Sequence, residues 1–513
     1  MALARLLSRG QSGLDAYEVT VEVHIANGLP GFAVTGLPAA AVRESKDRVR
    51  AALDTCGFGA PTRRVTVHLG PADVPKEGGR FDLAIALGVI AAERHRGWDT
   101  RDYEFLGELA LNGELRPIVG ALPAALAAHG AGRKLVLPVG NAAEAALVTG
   151  GEIYAARSLV EVVEHLDGGQ PLERARADQR PAAAPKILDL ADVRGQAHAK
   201  RALVIAAAGA HSLLMVGPPG SGKSMLAERL PGLLPSLTLD EMFCAASIAS
   251  VAGQPLPGVV SLARPFRAPH HTTSPQALVG GGSHPRPGEV SLAHLGVLFL
   301  DELPEFSRTA LEALREPIET GVVRVSRVRG QVTFPAEFQL VAAMNPCPCG
   351  YRGDGTERCQ CSPPRVEQYR ARISGPLLDR FDLQIEVPRV GFAEIAAPPP
   401  QGGESAALRR VVERVRRRQL ERQGTVNARL SAADVWRSIP LGREARALLK
   451  RAVDRWQLSG RSVVRIIKVA RTIADLAESD AVEARHLGEA IQLRCLDRAQ
   501  PAPLPLPQRS EGT

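Results

Sequence analysis

The sequence contains few aromatic residues, few cysteines and no long apolar run. Tryptophan, tyrosine and phenylalanine make up only 4% of its 513 residues although 45% are hydrophobic, so its cores must be built mainly from alanine, leucine and valine. No apolar run of roughly 18 residues occurs, which argues against a membrane-spanning helix. The first residues lack the apolar stretch and cleavage site of a signal peptide. We therefore expect a cytoplasmic protein with no membrane contact.

The cysteine positions argue against a secreted protein, and the net charge favours an anionic partner. Four of the seven cysteines lie between residues 347 and 361, which is unlike the disulfide framework of a secreted protein. The net charge of +8 and the pI near 9.3 come mainly from arginine. This balance favours a polyanionic partner such as nucleic acid, although an arginine-rich composition alone gives the same value.

The length and the composition predict several domains. Residues 1–166 alternate β-branched runs with alanine-rich stretches and predict an α/β domain. A second α/β unit occupies residues 186–392, and mainly helix is expected over 405–497. Segments rich in glycine and proline predict linkers at 167–185 and 393–404, and the proline-rich tail 498–513 is expected to be disordered.

One glycine-rich segment fits the phosphate-binding pattern G-x-x-x-x-G-K-[ST] without a mismatch. It follows an apolar run typical of a buried strand and precedes a predicted helix that starts near Met225, so backbone N–H groups would converge on a polyphosphate. Lys223 would reach the phosphates and Ser224 would bind Mg²⁺. The segment predicts binding of a nucleoside triphosphate by Gly217, Pro218, Pro219, Gly220, Ser221, Gly222, Lys223 and Ser224.

Two later apolar strands end in polar side chains. Residues 296–302 end in Asp301 and Glu302, and an entirely buried strand would bring Asp301 to the Mg²⁺ bound by Ser224. Glu302 would then polarise an attacking water. The alternative is an ordinary strand followed by an acidic helix cap. Asn345 ends the next strand and is expected to hold that water or contact the γ-phosphate.

Together these motifs resemble the AAA+ ATPases, and within them the magnesium-chelatase-like branch. The resemblance implies a central AAA+ domain with a C-terminal helical lid, and rings that are usually hexamers. It makes Arg380 the arginine finger that reaches a neighbouring subunit's ATP; the alternative is an ion pair with Asp379 or Asp382. Arg461 resembles the arginine called sensor 2, with Arg465 as the alternative. Residues 193–196 resemble the border of the adenine pocket.

A narrower resemblance covers nearly the whole chain. Residues 264–272, 280–282, 287–294 and 344–350 are similar to those of the ComM/YifB family. This resemblance implies a hexameric, ATP-driven DNA motor, a branch-migration helicase that acts on single-stranded or branched DNA during natural transformation. The alternative is a magnesium-chelatase motor subunit that inserts metal into a tetrapyrrole. A scaffold that binds ATP without turnover is a third possibility, which Glu302, Asn345 and Arg380 disfavour.

In this family the N-terminal domain resembles the Lon protease domain. Such proteases use a serine that a desolvated lysine activates. Arg80 stands at the position expected for the serine, and Leu122 stands where the lysine is expected. The resemblance therefore predicts a Lon-like domain that is inactive as a protease and that serves a structural or nucleic-acid-binding role.

The clustered cysteines predict a metal site. Cys347, Cys349, Cys359 and Cys361 form two C-x-C pairs, and four thiolates can complete a tetrahedral Zn²⁺ site. The spacing is tighter than the usual C-x₂-C, and the alternative is a loop of reduced thiols. Zinc here would rigidify the segment between Asn345 and Arg380.

A basic hairpin is the candidate DNA contact. Residues 322–333 alternate around a glycine turn. Arg324, Arg327 and Arg329 would then lie on an exposed hairpin and contact phosphates without base specificity. The alternative is a solvated basic hairpin. The adjacent His270 and His271 are expected to be packed or to line the pore of the ring, and the alternative is that they bind a metal.

Overall fold

The computed structural model describes residues 2–176, 188–256, 261–282, 285–327, 330–396 and 402–497. The predicted tail 498–513 lies outside the described residues, as does part of each predicted linker. No described helix is both long and apolar enough to cross a membrane.

The N-terminal part is built on a mixed eight-stranded sheet. Burial alternates along its second strand because one face of the sheet is covered and the other is more open. The strands are β1 (Ala2–Ser12), β2 (Asp15–Ala26), β3 (Gly31–Thr35), β4 (Arg64–Gly70), β5 (Tyr103–Phe105), β6 (Glu108–Leu109), β7 (Leu115–Arg116), β8 (Lys134–Pro138), β9 (Ile153–Ala156) and β10 (Glu173–Arg174). The order in the sheet is β10-β9-β8-β5-β1-β2-β4-β3, and β6 and β7 pair separately.

Six helices accompany these strands within residues 2–176. They are α1 (Ala40–Arg43), α2 (Ser45–Thr55), α3 (Asp82–Arg94), α4 (Ala121–Gly130), α5 (Ala142–Ala145) and α6 (Leu159–Leu166). Helix α3 is apolar along most of its length and packs against β1 and β2, so it is buried nearly all round. The strand β10 lies inside the segment predicted as a linker, 167–185, yet it pairs with β9. The ordered N-terminal sheet therefore extends beyond residue 166.

The central part contains a five-stranded sheet in which all pairs are parallel. Its order is β12-β15-β18-β11-β19, and two hairpins, β13-β14 and β16-β17, stand apart from it. The strands are β11 (Leu213–Val216), β12 (Phe266–Arg267), β13 (Gly280–Gly281), β14 (Arg286–Pro287), β15 (Val297–Leu300), β16 (Val322–Arg327), β17 (Gly330–Pro335), β18 (Gln339–Met344) and β19 (Leu383–Glu386). Every residue of β11, β15 and β18 is buried, as expected for strands covered on both faces.

The helices of this part cover both faces of that sheet. They are α7 (Ala197–Gly209), α8 (Lys223–Leu233), α9 (Leu239–Val251), α10 (Pro275–Val279), α11 (Glu289–Leu292), α12 (Arg308–Ala313), α13 (Arg315–Thr320), α14 (Pro363–Arg370), α15 (Gly375–Leu378) and α16 (Phe392–Ala396). The carboxyl ends of parallel strands meet at one edge, so the polar residues that follow β11, β15 and β18 are brought to the same place.

The C-terminal part is helical, as the sequence predicts. Its helices are α17 (Glu404–Gln423), α18 (Ala432–Ser438), α19 (Arg443–Trp456), α20 (Gly460–Leu476) and α21 (Ala484–Gln492). They share one hydrophobic core with α7, α8 and one face of the five-stranded sheet. The helical part is thus packed directly on the central domain.

The N-terminal and central parts are also in contact. Helix α4 packs against α9, and the N–H of Gly120 donates to the carbonyl of Ser250 at 3.2 Å. The hydroxyl of Ser250 donates to the Glu144 carboxylate at 2.7 Å. This contact links the N-terminal sheet to a helix of the central domain.

Candidate nucleotide site

The glycine-rich segment forms a loop between β11 and α8. Gly220 and Gly222 have φ values of +74° and +90°, a region that favours glycine. A Cβ atom on Gly217 would lie 2.2 Å from the carbonyl oxygen of Val387, so the close approach of this backbone also requires glycine. The predicted strand, loop and helix are confirmed, except that the helix begins at Lys223 and so before Met225.

The side chains expected around phosphates and Mg²⁺ come together at this loop. The Ser224 hydroxyl donates to Asp301 Oδ2 at 2.7 Å. The Lys223 ammonium donates to the carbonyls of Gly217 and Pro218 at 2.7 and 2.9 Å, and to Asn345 Oδ1 at 3.4 Å. Burial lowers the pKa of Lys223, an effect that Asp301 opposes.

This set of groups fits a triphosphate bound with Mg²⁺. The loop offers an ammonium group, two hydroxyl groups and the N-terminus of an eleven-residue helix. The Ser221 hydroxyl is buried and has no hydrogen-bond partner among the described residues, which is unusual for a buried donor. The Ser224 hydroxyl and the Asp301 carboxylate are oxygen ligands of the kind Mg²⁺ prefers.

Glu302 follows Asp301 in a strained backbone conformation. Its φ is +50°, which is uncommon for a residue with a side chain. Its carboxylate is 54% exposed and lies 3.3 Å from Nδ1 of His271. The sequence prediction missed this contact and described His271 as packed or pore-lining, because the two residues are joined only by the fold.

A cavity of about 630 Å³ is linked to the phosphate loop through one of its lining residues, although no residue of the loop itself lines it. Gln196 lines it and donates to the carbonyls of Ser221 and Pro388 at 3.1 and 2.6 Å. The cavity is therefore lined by one of residues 193–196, where the resemblance places the adenine pocket, and the hydrogen bond of Gln196 joins it to the loop. The other residues that line it are Ala197, His198, Glu386, Arg389, Val390, Glu394, Gln492 and Cys495.

The predicted arginines form a second, separate cluster. Arg380, Arg461, Arg465 and Lys468 line one cavity of about 290 Å³, and none of its lining residues belongs to the phosphate loop. The exposed Arg461 has no hydrogen bond or ion pair with a described residue. Glu319 and Asp379 line the same cavity, so its four cationic side chains exceed its acidic ones by two, an excess that suits an anion.

Arg380 is held within its own chain, but not by the predicted partners. Its side chain is 6% exposed, and its guanidinium donates to Glu319 and to the carbonyl of Pro376, each at 2.5 Å. An ion pair with Asp379 or Asp382 was the alternative interpretation of the sequence, and the structure corrects the partner to Glu319 of α13.

Asp382 is unavailable to Arg380 because it is bound elsewhere. It is buried against Arg465 and His211. Desolvation raises its pKa, but the cationic Arg465 and the hydrogen bond from His211 outweigh that effect and lower the pKa overall. Asp382 therefore connects the central sheet to helix α20.

The four clustered cysteines also lie together. All four Sγ atoms lie within 4.8 Å of one another, and no disulfide joins them. The Sγ atom of Cys347 is 3.4 Å from that of Cys349 and 3.8 Å from that of Cys359. The backbone N–H of Tyr351 lowers the pKa of Cys349 to about 7, with a smaller contribution from the neighbouring thiols.

Comparisons with known proteins identify the family. The family description "Magnesium chelatase, subunit ChlI" matches residues 189–395, its C-terminal counterpart matches 402–494, and "Subunit ChlI of Mg-chelatase" matches 21–141. A Haemophilus influenzae protein described as competence protein ComM is 47% identical over 503 residues, which cover 97% of this chain and 98% of that protein. The chain belongs to the ComM/YifB family of magnesium-chelatase-like AAA+ ATPases. The Escherichia coli member, YifB, is described as uncharacterized and is 44% identical over 500 residues, or 97% of this chain and 98% of its own.

The ComM/YifB N-terminal domain is similar to Lon over a limited range. A Lon protease of Syntrophomonas wolfei is 30% identical over 150 residues, which are 28% of this chain but only 18% of that protein. Arg80 is buried and donates to the carbonyl of Val119 at 2.6 Å, and Leu122, three residues further along the chain, is fully buried. The two positions where the sequence predicts missing catalytic groups are thus both buried, and they hold a guanidinium and an aliphatic side chain.

The predicted hairpin is present in this ComM/YifB chain. Strands β16 and β17 pair in antiparallel register. Val323 and Val325 are buried while Arg324 is exposed, as the alternation predicts. Arg324 lies 3.6 Å from Glu316, and both side chains are about half exposed. Of the other two candidates, Arg329 and the side chain of Arg327 lie outside what the structure describes.

Proposed function

We propose that the chain is an ATP-hydrolysing, ring-forming motor that acts on DNA, and that it is a branch-migration helicase in DNA uptake or recombination. The observation that carries this proposal is the division of its functional groups into two clusters. Lys223, Ser224, Asp301 and Asn345 lie together, whereas Arg380 lines a cavity to which none of them belongs. A complete hydrolytic site then needs a second copy of the chain.

In the first cluster, the chain would bind ATP with Mg²⁺. The backbone of 217–222, Lys223 and the hydroxyl of Ser221 would bind the phosphates, and the 630 Å³ cavity would accept the adenine. Ser224 and Asp301 would hold Mg²⁺. The metal would supply neutralisation of the charge that develops on the phosphates.

The residues beyond β15 and β18 would promote hydrolysis. Glu302 would orient and polarise the water, while Asn345, 3.4 Å from the Lys223 ammonium, would contact the γ-phosphate. His271 would fix the position of the Glu302 carboxylate through their 3.3 Å contact. Water positioning is needed for hydrolysis and not for binding alone, which disfavours a passive scaffold.

In the second cluster, Arg380 and Arg461 would serve the ATP bound by the next subunit. A guanidinium stabilises charge on the transferred phosphoryl group. The surface that offers Arg380 and the surface that binds ATP differ, so the contact between copies would be head to tail. Such contacts form a ring when the rotation from one copy to the next closes. The hexamer is the ring size that the family resemblance implies.

DNA is the proposed substrate of the motor. The relative named for competence supports a role in DNA uptake, and the net charge of +8 suits a polyanion. Arg324, Arg327 and Arg329 are the proposed phosphate contacts.

The test is ATP hydrolysis with and without DNA. We expect single-stranded or branched DNA to stimulate the wild-type chain, and Lys223→Ala to abolish hydrolysis in both conditions. A branched substrate labelled on one strand would report branch migration in the same reactions. If hydrolysis is unchanged by every DNA tested, the motor on DNA is refuted and the chelatase alternative is favoured.

A further inference from the structure

Two short loops of the central domain bring four thiols into one cluster. Cys347 and Cys349 follow β18, and Cys359 and Cys361 precede α14, so the connecting loop must fold back on itself. Gly350, Gly353 and Gly355 allow this, with φ values of +84°, +77° and +78°. A chance set of four cysteines would not be expected to converge in this way.

The spacing of the sulfur atoms suits a tetrahedral metal. Zinc binds thiolates at about 2.3 Å, which places the sulfur atoms of a tetrahedron roughly 3.8 Å apart. The observed separations of 3.4 and 3.8 Å and the 4.8 Å limit over all four are close to that value. A disulfide needs sulfur atoms at about 2.05 Å, so the thiols are not paired.

The chemistry of the ligands favours a tetrathiolate zinc site. Around the loop that joins the two cysteine pairs, the guanidinium groups of Arg358 and Arg389 lie 5.2 and 5.8 Å from the ring of Tyr351, and that ring belongs to the loop. Soft thiolate ligands select zinc over the hard cation Mg²⁺.

We propose that these four cysteines form a structural zinc site that supports the nucleotide-binding loop. The loop between the cysteine pairs touches both sides of the candidate nucleotide site. A Cβ atom added to Gly350 would lie 2.7 Å from Pro219 of the phosphate loop and 3.7 Å from the Asn345 side chain. The metal thereby fixes the backbone against which Pro219 and Asn345 are placed. The metal site does not depend on the proposed function, whereas its effect on ATP binding rests on the proposed function.

The first experiment measures metal in the full-length chain, expressed with zinc and purified under reducing conditions. We expect about one zinc per chain, and almost none in the variant Cys359→Ser/Cys361→Ser. The matched control is Cys56→Ser, which removes a lone thiol and keeps a donor toward the carbonyl of Asn112. Wild-type protein without bound zinc, or equal zinc in the double variant, would overturn the site.

A cobalt spectrum of the wild-type chain tests the site without relying on the fold of the double variant. Wild-type chain loaded with Co²⁺ should show thiolate-to-cobalt charge transfer in the near ultraviolet and intense visible bands typical of tetrahedral coordination. The Cys56→Ser control should give the same spectrum. Weak visible bands of six-coordinate cobalt, without charge transfer, would refute tetrathiolate coordination even if the double variant does not fold.

The second experiment measures the link to the nucleotide. Removing zinc from the wild-type chain should raise the Kd of a fluorescent ATP analogue about tenfold, and adding zinc back should restore it. Unchanged affinity would refute the support of the nucleotide loop while leaving the metal site intact. Lys223→Ala separates the two hypotheses: if it binds the analogue as tightly as the wild-type chain, the proposed nucleotide site fails and the metal result stands.

Discussion

Replacing Arg380 with alanine should abolish hydrolysis while leaving ATP binding nearly unchanged. Arg380 lines a cavity to which no residue of the phosphate loop belongs. Replacing it therefore leaves the groups around Lys223 unchanged. The side chain is 6% exposed, but its partner Glu319 is 55% exposed and remains solvated after the change. The variant should therefore fold, with a loss of roughly 1–2 kcal/mol from the missing hydrogen bonds.

The expected loss in kcat depends on two free energies: the stabilisation of the transferred phosphoryl group by Arg380, and the cost of breaking the bonds that Arg380 makes in its own chain. A guanidinium at the transferred phosphoryl group contributes about 10³–10⁵ in rate, or roughly 4–7 kcal/mol. Arg380 must first leave Glu319 and the Pro376 carbonyl, which costs the same roughly 1–2 kcal/mol as deleting those bonds. At the middle of the range above, the net contribution is still about 10² or more in kcat.

The assay is steady-state ATP hydrolysis together with the Kd of a fluorescent ATP analogue. We expect Arg380→Ala to lower kcat at least about a hundredfold, with a Kd close to that of the wild-type chain. The matched control is Glu319→Gln, which keeps the size of the side chain and frees Arg380, so kcat should be unchanged or up to about fivefold higher. Hydrolysis by Arg380→Ala within about threefold of the wild-type rate would refute the finger role.

Four further changes test other parts of the account. Glu302→Gln should retain ATP binding and lose hydrolysis by about 10² or more, measured in the same assay; unchanged turnover would remove Glu302 from the mechanism. His271→Ala should lower kcat about tenfold without changing ATP affinity, because the Glu302 carboxylate loses its 3.3 Å contact. Burial lowers the pKa of His294 from 6.5 to about 4. As the pH falls, the unfolded state therefore binds a proton at this residue before the folded state does. The free energy of unfolding decreases by roughly 3 kcal/mol between pH 6.5 and pH 4. The thermal midpoint of His294→Gln should accordingly fall less than that of the wild-type chain between about pH 7 and pH 5; an equal fall would contradict this origin. Arg324→Ala should weaken DNA binding for all sequences and reduce the salt slope by about 1, while the exposed Arg101→Ala serves as the control.

The sequence predicted the groups that lie next to a recognisable local pattern. The phosphate loop, the carboxylates after β15 and Asn345 after β18 were predictable because buried parallel strands end at one edge of the sheet. The convergence of the cysteines was predictable from their spacing. The close approach of Gly350 to Pro219 was not, since it depends on how a folded loop packs.

Contacts between distant segments could not be read from the sequence. The ion pair of Arg380 with Glu319 joins the loop after α15 to α13. The sequence suggested Asp379 or Asp382 as the partner of Arg380 because they are its neighbours in the chain, and this alternative was wrong. The contact between His271 and Glu302 is of the same kind. The edge strand β10 was predicted as linker because two paired residues leave no periodicity to detect.

The central claim is that one ATP site is built from two copies of the chain. Lys223→Ala lacks the binding half and Arg380→Ala lacks the finger half, so each variant should be inactive by itself. Mixed in equal amounts and allowed to exchange subunits, they should recover about a quarter of wild-type hydrolysis, because one interface in four then joins two intact halves. If Arg380 acts on the ATP of its own chain, every mixture will remain as inactive as the separate variants.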